Sequence, residues 1–248
     1  MSLRMVRQKV LPALRLALSL LVPVAALCAC QPMPQPETSQ DRESSFTWPE
    51  YDYARSAAAG RRVYRLEPGA TQIDVVVRRD GPLARFGHDH VLSVGRPEGF
   101  LQLDDQRDAG RADLRFRIDQ LTVDSQIARD RYGLDTNPDD DAIRATRKNL
   151  MDYVVDAERW PWATLVMEEF QQQGGHYSAM LSIGINGSSH TSRQPFRLNR
   201  AGDGIVVEGF FTLHQTQLGI EPFSALGGGL RVADPMEIHF HIEAGPWQ

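Results

Sequence analysis

The stretch ADLRFRID, residues 112–119, alternates apolar and charged side chains without interruption. Ala112, Leu114, Phe116 and Ile118 share one face if the chain is extended, because successive side chains of a strand point to opposite sides. The charged residues between them then face water. The pattern predicts a β-strand in a sheet that buries one face.

The same alternation recurs along the chain and predicts an all-β fold. Further segments with this period are residues 73–77, 163–167, 177–185, 205–213 and 238–242. Turn signals rich in Gly and Asp separate them. About eight such strands with short polar links indicate an antiparallel sheet, and closing it into a β-barrel removes its exposed edges.

One helical insertion is predicted between the strands. Residues 138–141, Pro-Asp-Asp-Asp, supply a helix N-terminus with acids in its first turn. Ile143, Leu150 and Val154 recur on one helical face, and Trp160 with Pro161 ends the helix. The chain then returns to a strand.

The first thirty residues have the features of an export signal. A basic beginning precedes an apolar run over residues 16–27, which is too short for a permanent membrane span. The run ends in LCAC, residues 27–30, which resembles a bacterial lipobox and implies a signal peptide over 1–29 with Cys30 lipidated. The protein is then expected in the periplasm on an acyl anchor, and Gln31 favours the outer membrane. The alternative is ordinary cleavage after Ala29, which releases a soluble periplasmic protein.

Composition limits what the exported chain can do. Residues 30–60, rich in Pro, Gln and Ser at their start, are predicted to be a disordered tether, and residues 61–246 the folded domain. Both cysteines, Cys28 and Cys30, lie at the signal boundary, so the domain has no disulfide and no thiol nucleophile. Without the four basic residues of the signal, 23 Lys and Arg face 32 Asp and Glu, a net charge near −9. This acidity excludes nucleic acid as an electrostatic partner.

Several short motifs, in their order and spacing, resemble the YceI-like proteins. These motifs are residues 64–67 (YRLE), 86–90 (FGHDH), 123–125 with 129–130 (VDS and RD), 159–165 (RWPWATL), 181–187 and 218–220 (LGI). The resemblance implies a lipocalin-like antiparallel barrel with a helical insertion. It also implies a non-catalytic binding protein whose lumen holds an isoprenoid-type lipid, such as a polyprenyl or quinone chain, with no other cofactor.

The inward positions of the predicted strands are the expected ligand-binding residues. They are Phe86, His88, His90, Leu92, Leu114, Phe116, Leu165, Met167, Leu181 and Phe211. An eight-stranded barrel is wide enough for one slender ligand, and apolar burial is worth roughly 0.8 kcal/mol per CH₂. Alternation alone leaves open whether these side chains surround a ligand or fill a solid core.

The pair His88 and His90 admits three interpretations. If residues 85–94 form a straight strand, both imidazoles face one compartment and Asp89 faces the other way. They are then structural residues with hydrogen-bond partners, contacts to the head group of a lipid, or part of a metal or haem site.

A metal site needs further ligands than this pair. His190 and His214 are the candidate donors from other strands, whereas His239 and His241 are predicted to face solvent. A metal- or redox-associated periplasmic protein that uses His88 and His90 is therefore the alternative function. A hydrolase ranks last, because no nucleophile–base–acid spacing is present.

Overall fold

The computed structural model describes residues 47–104 and 109–247, which fold around a closed sheet. The strands are β1 Arg62–Leu66, β2 Gln72–Asp80, β3 His90–Ser93, β4 Glu98–Asp104, β5 Ala109–Arg117, β6 Thr122–Val123, β7 Trp162–Gln173, β8 His176–Ile185, β9 Ser188–Ala201, β10 Gly204–His214, β11 Ser224–Ala225 and β12 Leu230–Pro246. The helices are α1 Glu50–Ala58, α2 Gln126–Arg131 and α3 Asp140–Asn149.

Eight of these strands form the barrel ring. Hydrogen bonds join β1, β4, β5, β7, β8, β9, β10 and β12 in that order, and β12 pairs again with β1 through Tyr64 and Pro246. Every pairing is antiparallel. The predicted all-β, lipocalin-like antiparallel barrel is therefore confirmed.

The long strand β12 serves two stretches of wall. One edge of β12 pairs with β2 between Arg231 and His241, and further along the strand the same edge pairs with β1 near Ala244. Strands β3 and β6 continue outward from β2, and β6 follows β5 after a 3-10 turn at Ile118–Gln120. The extra strands thus extend the wall at one end of the barrel.

Helix α1 lies in the segment that the sequence predicts to be tether. Tyr53 and Ser56 form its buried face, and the Tyr53 ring stacks on Phe100 with centroids 5.1 Å apart. The tether prediction is therefore wrong for the last part of residues 30–60, because this apolar face packs on the outer barrel wall. Residues 30–46, the signal peptide and Cys30 lie outside the described residues.

The same helix covers a charged residue that the alternation predicts to face water. Asp113 points away from the lumen, as predicted, but its side chain is fully buried. The Tyr53 hydroxyl donates to its carboxylate at 2.6 Å, and the Arg111 guanidinium donates at 2.7 and 2.8 Å. Burial and the hydrogen bond to Asp113 raise the pKa of Tyr53.

The helical insertion begins where its capping residues predict. The Asp139 side chain accepts from the backbone N–H of Ala142 and starts α3, and a π-helical turn, Leu150–Val154, follows. A further short helix, α2, precedes it and is capped by Ser125. Within the part of the chain that the structure describes, no helix combines the length and apolar character needed to cross a membrane.

Candidate functional site

The barrel encloses a cavity of about 330 Å³. Its wall is formed mainly by aliphatic and aromatic side chains from β2, β7, β8, β10 and β12, together with the end of α3. Representative members are Val75, Val77, Leu165, Ile183, Leu213 and Ile238. An enclosed apolar surface of this kind suits an apolar ligand and gives a small polar molecule few partners.

The interior beyond the cavity is solid core. Tyr64, Leu101, Phe170, Phe196 and Ile205 belong to an apolar cluster that packs without contributing to the cavity wall. The two possibilities that alternation left open are therefore both present in one barrel. One part is filled by side chains, and the other part holds a cavity.

Seven of the ten predicted ligand-binding residues line the cavity. They are Phe86, His88, His90, Leu92, Phe116, Leu165 and Phe211. Leu114 and Leu181 are instead buried in the core cluster beside the cavity. Met167 packs against both core clusters, so it lies where one core region meets the other. Ligand contact by the seven stays a prediction.

The segment before β3 is not the straight strand that the sequence predicts. Residues 84–86 form a 3-10 turn, Gly87 is extended, and the ladder begins only at His90. The backbone N–H of Leu83 donates to the carbonyl of Gly229 at 2.8 Å, so a distant loop holds this turn in place. Although the strand is not straight here, His88 and His90 face the same cavity, as the sequence predicts.

His90 belongs to a buried ionic array. Its Nδ1 lies 2.6 Å from Oδ2 of Asp124, whose carboxylate also accepts from the backbone N–H of Val91 at 3.0 Å and from Arg129 at 2.7 Å. Asp124 and Arg129 are almost completely buried. Burial alone would raise the pKa of Asp124, but the bonds from His90 and Val91 and the charge of Arg129 hold that pKa below its usual range.

His88 has no such support. Its Nδ1 is shielded from water and has no hydrogen-bond partner in the described structure. Burial, and then the neighbouring His90 and Arg129, lower the pKa of His88, which favours the neutral imidazole. The rings of His88 and His90 lie with centroids 6.3 Å apart. An unpaired buried nitrogen costs about 1–3 kcal/mol, so the ring of His88 carries an uncompensated desolvation penalty.

The other charged side chains at the cavity are already paired. Arg79 contacts Asp135 at 2.8 Å, and Arg231 contacts Asp80 at 3.1 Å. Asp89, predicted to face away from the histidines, is absent from the cavity wall and accepts from the backbone N–H of Arg79 at 2.9 Å. The polar groups of the wall that carry no ionic partner of this kind are the His88 ring and the uncharged side chains of Thr146, Asn149 and Gln215.

The structure does not bring the other candidate metal donors to His88 and His90. His214 is exposed and its Nδ1 lies 3.1 Å from Asp234, whereas His190 stands in β9 opposite Ile183. Over residues 47–104 and 109–247, no group of three or more His, Cys, Asp or Glu side chains is placed to hold a metal ion. The metal alternative thus lacks a third protein ligand within these residues.

Two outcomes were beyond sequence reasoning. His239, predicted to face solvent, lies on the outer surface but is half-buried between the rings of Tyr132 and Phe210. Asp124 and Arg129 stand in the VDS and RD motifs, yet no role followed from the motifs alone. The sequence feature that could have indicated their ion pair is the presence of two unlike charges five positions apart. Their contact with His90 depends on the pairing of β3 with β6.

The fold has relatives among solved structures. BcnA from Burkholderia cenocepacia superposes with a TM-score of 0.53 at 14% identity, over 72% of this chain and 98% of BcnA. A YceI protein from Campylobacter jejuni gives a TM-score of 0.46 at 9% identity, over 63% of this chain and 84% of that protein. No family model and no curated protein sequence matches the chain. At these identities the similarity concerns fold alone, and the chain has the fold of the YceI-like barrel proteins, as its motifs predicted.

Proposed function

We propose that this chain is a non-catalytic binding protein that holds a slender apolar molecule of the isoprenoid type in its barrel. The observation that carries the proposal is the apolar cavity of about 330 Å³ inside the barrel. Interiors normally pack like organic crystals, with few voids larger than a water molecule. A cavity of this size, bounded by side chains such as Val77 and Leu213, is therefore best explained by a ligand.

The volume bounds the length of chain that the cavity accepts. An engineered apolar cavity of about 150 Å³ binds benzene. By proportion, the present cavity of about 330 Å³ holds roughly a dozen carbon atoms, or two to three isoprene units. A longer prenyl or quinone tail must then project from the mouth, near the largely exposed ring of Phe86.

The energy of such binding is adequate. Roughly a dozen buried carbons gain about 10 kcal/mol at about 0.8 kcal/mol each. Association costs at least about 4 kcal/mol of lost translational and rotational freedom. With this smallest cost, about 6 kcal/mol remains, which corresponds to a dissociation constant of tens of micromolar as the tightest binding that the apolar part alone supplies.

The composition of the wall supports a non-catalytic role. Among the described residues that form it there is no Ser, Cys, Asp, Glu or Lys. The wall does hold Thr146 and the two histidines, but a serine or cysteine nucleophile, or a carboxylate to serve as general acid or base, would have to come from elsewhere. Attachment to the periplasmic face of a membrane through Cys30 is part of the proposal and follows from the lipobox-like sequence.

Mass spectrometry of an organic extract of the purified full chain tests the proposal. A copurified isoprenoid is expected, together with binding of added farnesol measured by calorimetry. Leu165→Trp places an indole in the cavity and should weaken farnesol binding at least tenfold. Val166→Trp is the matched control, because Val166 is the next residue of the same strand and its side chain is not part of the cavity wall.

The two variants also define failure. If the wild-type chain yields no lipid and binds no farnesol, the proposal is wrong. Equal loss of affinity in Leu165→Trp and Val166→Trp would show that binding occurs outside the barrel.

A further inference from the structure

The two cavity histidines differ in what they offer a ligand. The ionised Asp124 carboxylate can only accept hydrogen bonds, so the Nδ1 of His90 that faces it at 2.6 Å must carry a proton. His90 also lines the cavity, and Nε2 is its remaining ring nitrogen. In the neutral ring Nε2 presents a lone pair, which makes it a hydrogen-bond acceptor.

His88 has the opposite freedom. Its buried Nδ1 has no partner among the described residues, and nothing fixes which of its nitrogens carries the proton. A ligand can therefore choose the tautomer of His88 but must supply a donor to His90. The centroid separation of 6.3 Å lets one oxygen atom reach a nitrogen of each ring at ordinary hydrogen-bond length, about 2.8 Å.

We infer that the cavity selects a ligand with an uncharged hydroxyl head, an alcohol or a phenol. This inference rests on the proposed function and specifies its ligand class. A hydroxyl donates its one proton to Nε2 of His90 and accepts from Nε2–H of His88, the ring nitrogen of His88 that is not shielded, so a single group contacts both rings. A carbonyl or an ether can only accept and leaves His90 without a partner.

An anionic head fits less well. The Asp124 carboxylate behind His90 is neutralised by the buried Arg129 at 2.7 Å, so this pair supplies no free cation to an anion. The arginines at the cavity wall, Arg79 and Arg231, already pair with Asp135 and Asp80. Asp124 is thus a positioning residue, which acts on the ligand through the proton that it holds on His90.

The tautomer can be measured without any ligand. Long-range ¹H–¹⁵N NMR of the full chain, labelled at histidine, distinguishes protonated from bare ring nitrogens. At pH 8, His90 should show a protonated Nδ1 and an unprotonated Nε2. A protonated Nε2 on His90 would overturn the inference and leave the binding proposal intact.

Calorimetry at the same pH tests the selection itself. Farnesol should bind the wild-type chain about tenfold more tightly than farnesyl methyl ether, the value of one neutral hydrogen bond near 1.4 kcal/mol. His90→Phe should abolish this preference. His88→Phe should weaken both ligands but keep the preference, since His90 still accepts from the alcohol.

Control and contrary outcomes are distinct. His239→Phe changes a histidine outside the cavity and should leave both affinities unaltered. Farnesyl phosphate should bind less tightly than farnesol. Equal affinity for alcohol and ether, or tighter binding of the phosphate, would refute the hydroxyl selection alone. Absence of binding by all three ligands would instead refute the proposed function, and the inference with it.

Discussion

Arg129 offers the sharpest test of what stabilises the site. Its side chain is 2% exposed and pairs with the fully buried Asp124 at 2.7 Å. It also donates to the carbonyl of Asp89 at 2.8 Å and to the hydroxyl of Thr136 at 3.1 Å. Arg129→Met keeps the apolar stem and removes the guanidinium.

The expected cost follows from the charge left behind. Removing one partner of a buried ion pair typically costs about 3–5 kcal/mol, because the other charge stays buried without compensation. Total stability of a domain is about 5–15 kcal/mol, so the variant should be severely destabilised. With a urea dependence near 3 kcal/mol per M, the unfolding midpoint should fall by about 1–1.7 M.

Urea unfolding followed by far-UV circular dichroism measures this shift. Arg144→Met is the control, since Arg144 pairs with Asp141 on the exposed face of α3 and should contribute less than about 1 kcal/mol. The double variant Asp124→Leu/Arg129→Met leaves no buried charge and should be more stable than Arg129→Met alone. The reasoning fails if Arg129→Met costs no more than the control, or if the double variant costs the sum of its two single changes.

Three further outcomes follow from the structure. Tyr53→Phe removes the hydroxyl that donates to buried Asp113 at 2.6 Å and should cost about 1–3 kcal/mol in urea unfolding, whereas Tyr51→Phe at an exposed position should cost nothing. Leu114→Asp buries an unpaired charge at a site 7% exposed and should abolish cooperative unfolding; a normal transition would show that the inward register of β5 is wrong. Burial lowers the pKa of His88, so the folded state loses stability as pH falls below the unfolded value of about 6.5, where the unfolded chain gains the proton. Urea midpoints between pH 8 and 5 should therefore fall less steeply in His88→Phe, and identical slopes would contradict this assignment.

The barrel could be predicted because its signal is local. Each strand carries its own alternation, and β5 shows it in six consecutive residues, 112–117. Position within the lumen could not be read in this way. Phe116 lines the cavity, whereas Leu114, two residues earlier on the same face, packs in the core. This difference depends on which side chains the opposite wall supplies, and the local sequence does not contain that information.

The structure differs from the sequence-based predictions where segments that are distant along the chain meet. The turn at Ala84–Phe86 is held by a carbonyl from Gly229, far along the chain, so no local pattern announces it. Asp113 has the sequence position of a solvent-facing residue and is buried only because α1 docks over it. The pairing of His90 with Asp124 likewise depends on β3 and β6 lying side by side.

Strand β12 has a kinetic consequence. Its 17 residues pair with β1, β2, β10 and β11, and its contact with β1 joins the two ends of the described domain. Because such non-local pairings must overcome the entropy of closing a long loop, barrels of this kind fold slowly. Until β12 arrives, β1 and β10 expose open edges that can recruit other chains. Because a chain is synthesised from its N-terminus, the first and middle strands are complete before their final hydrogen-bonding partner exists, and protection from aggregation matters most at that stage.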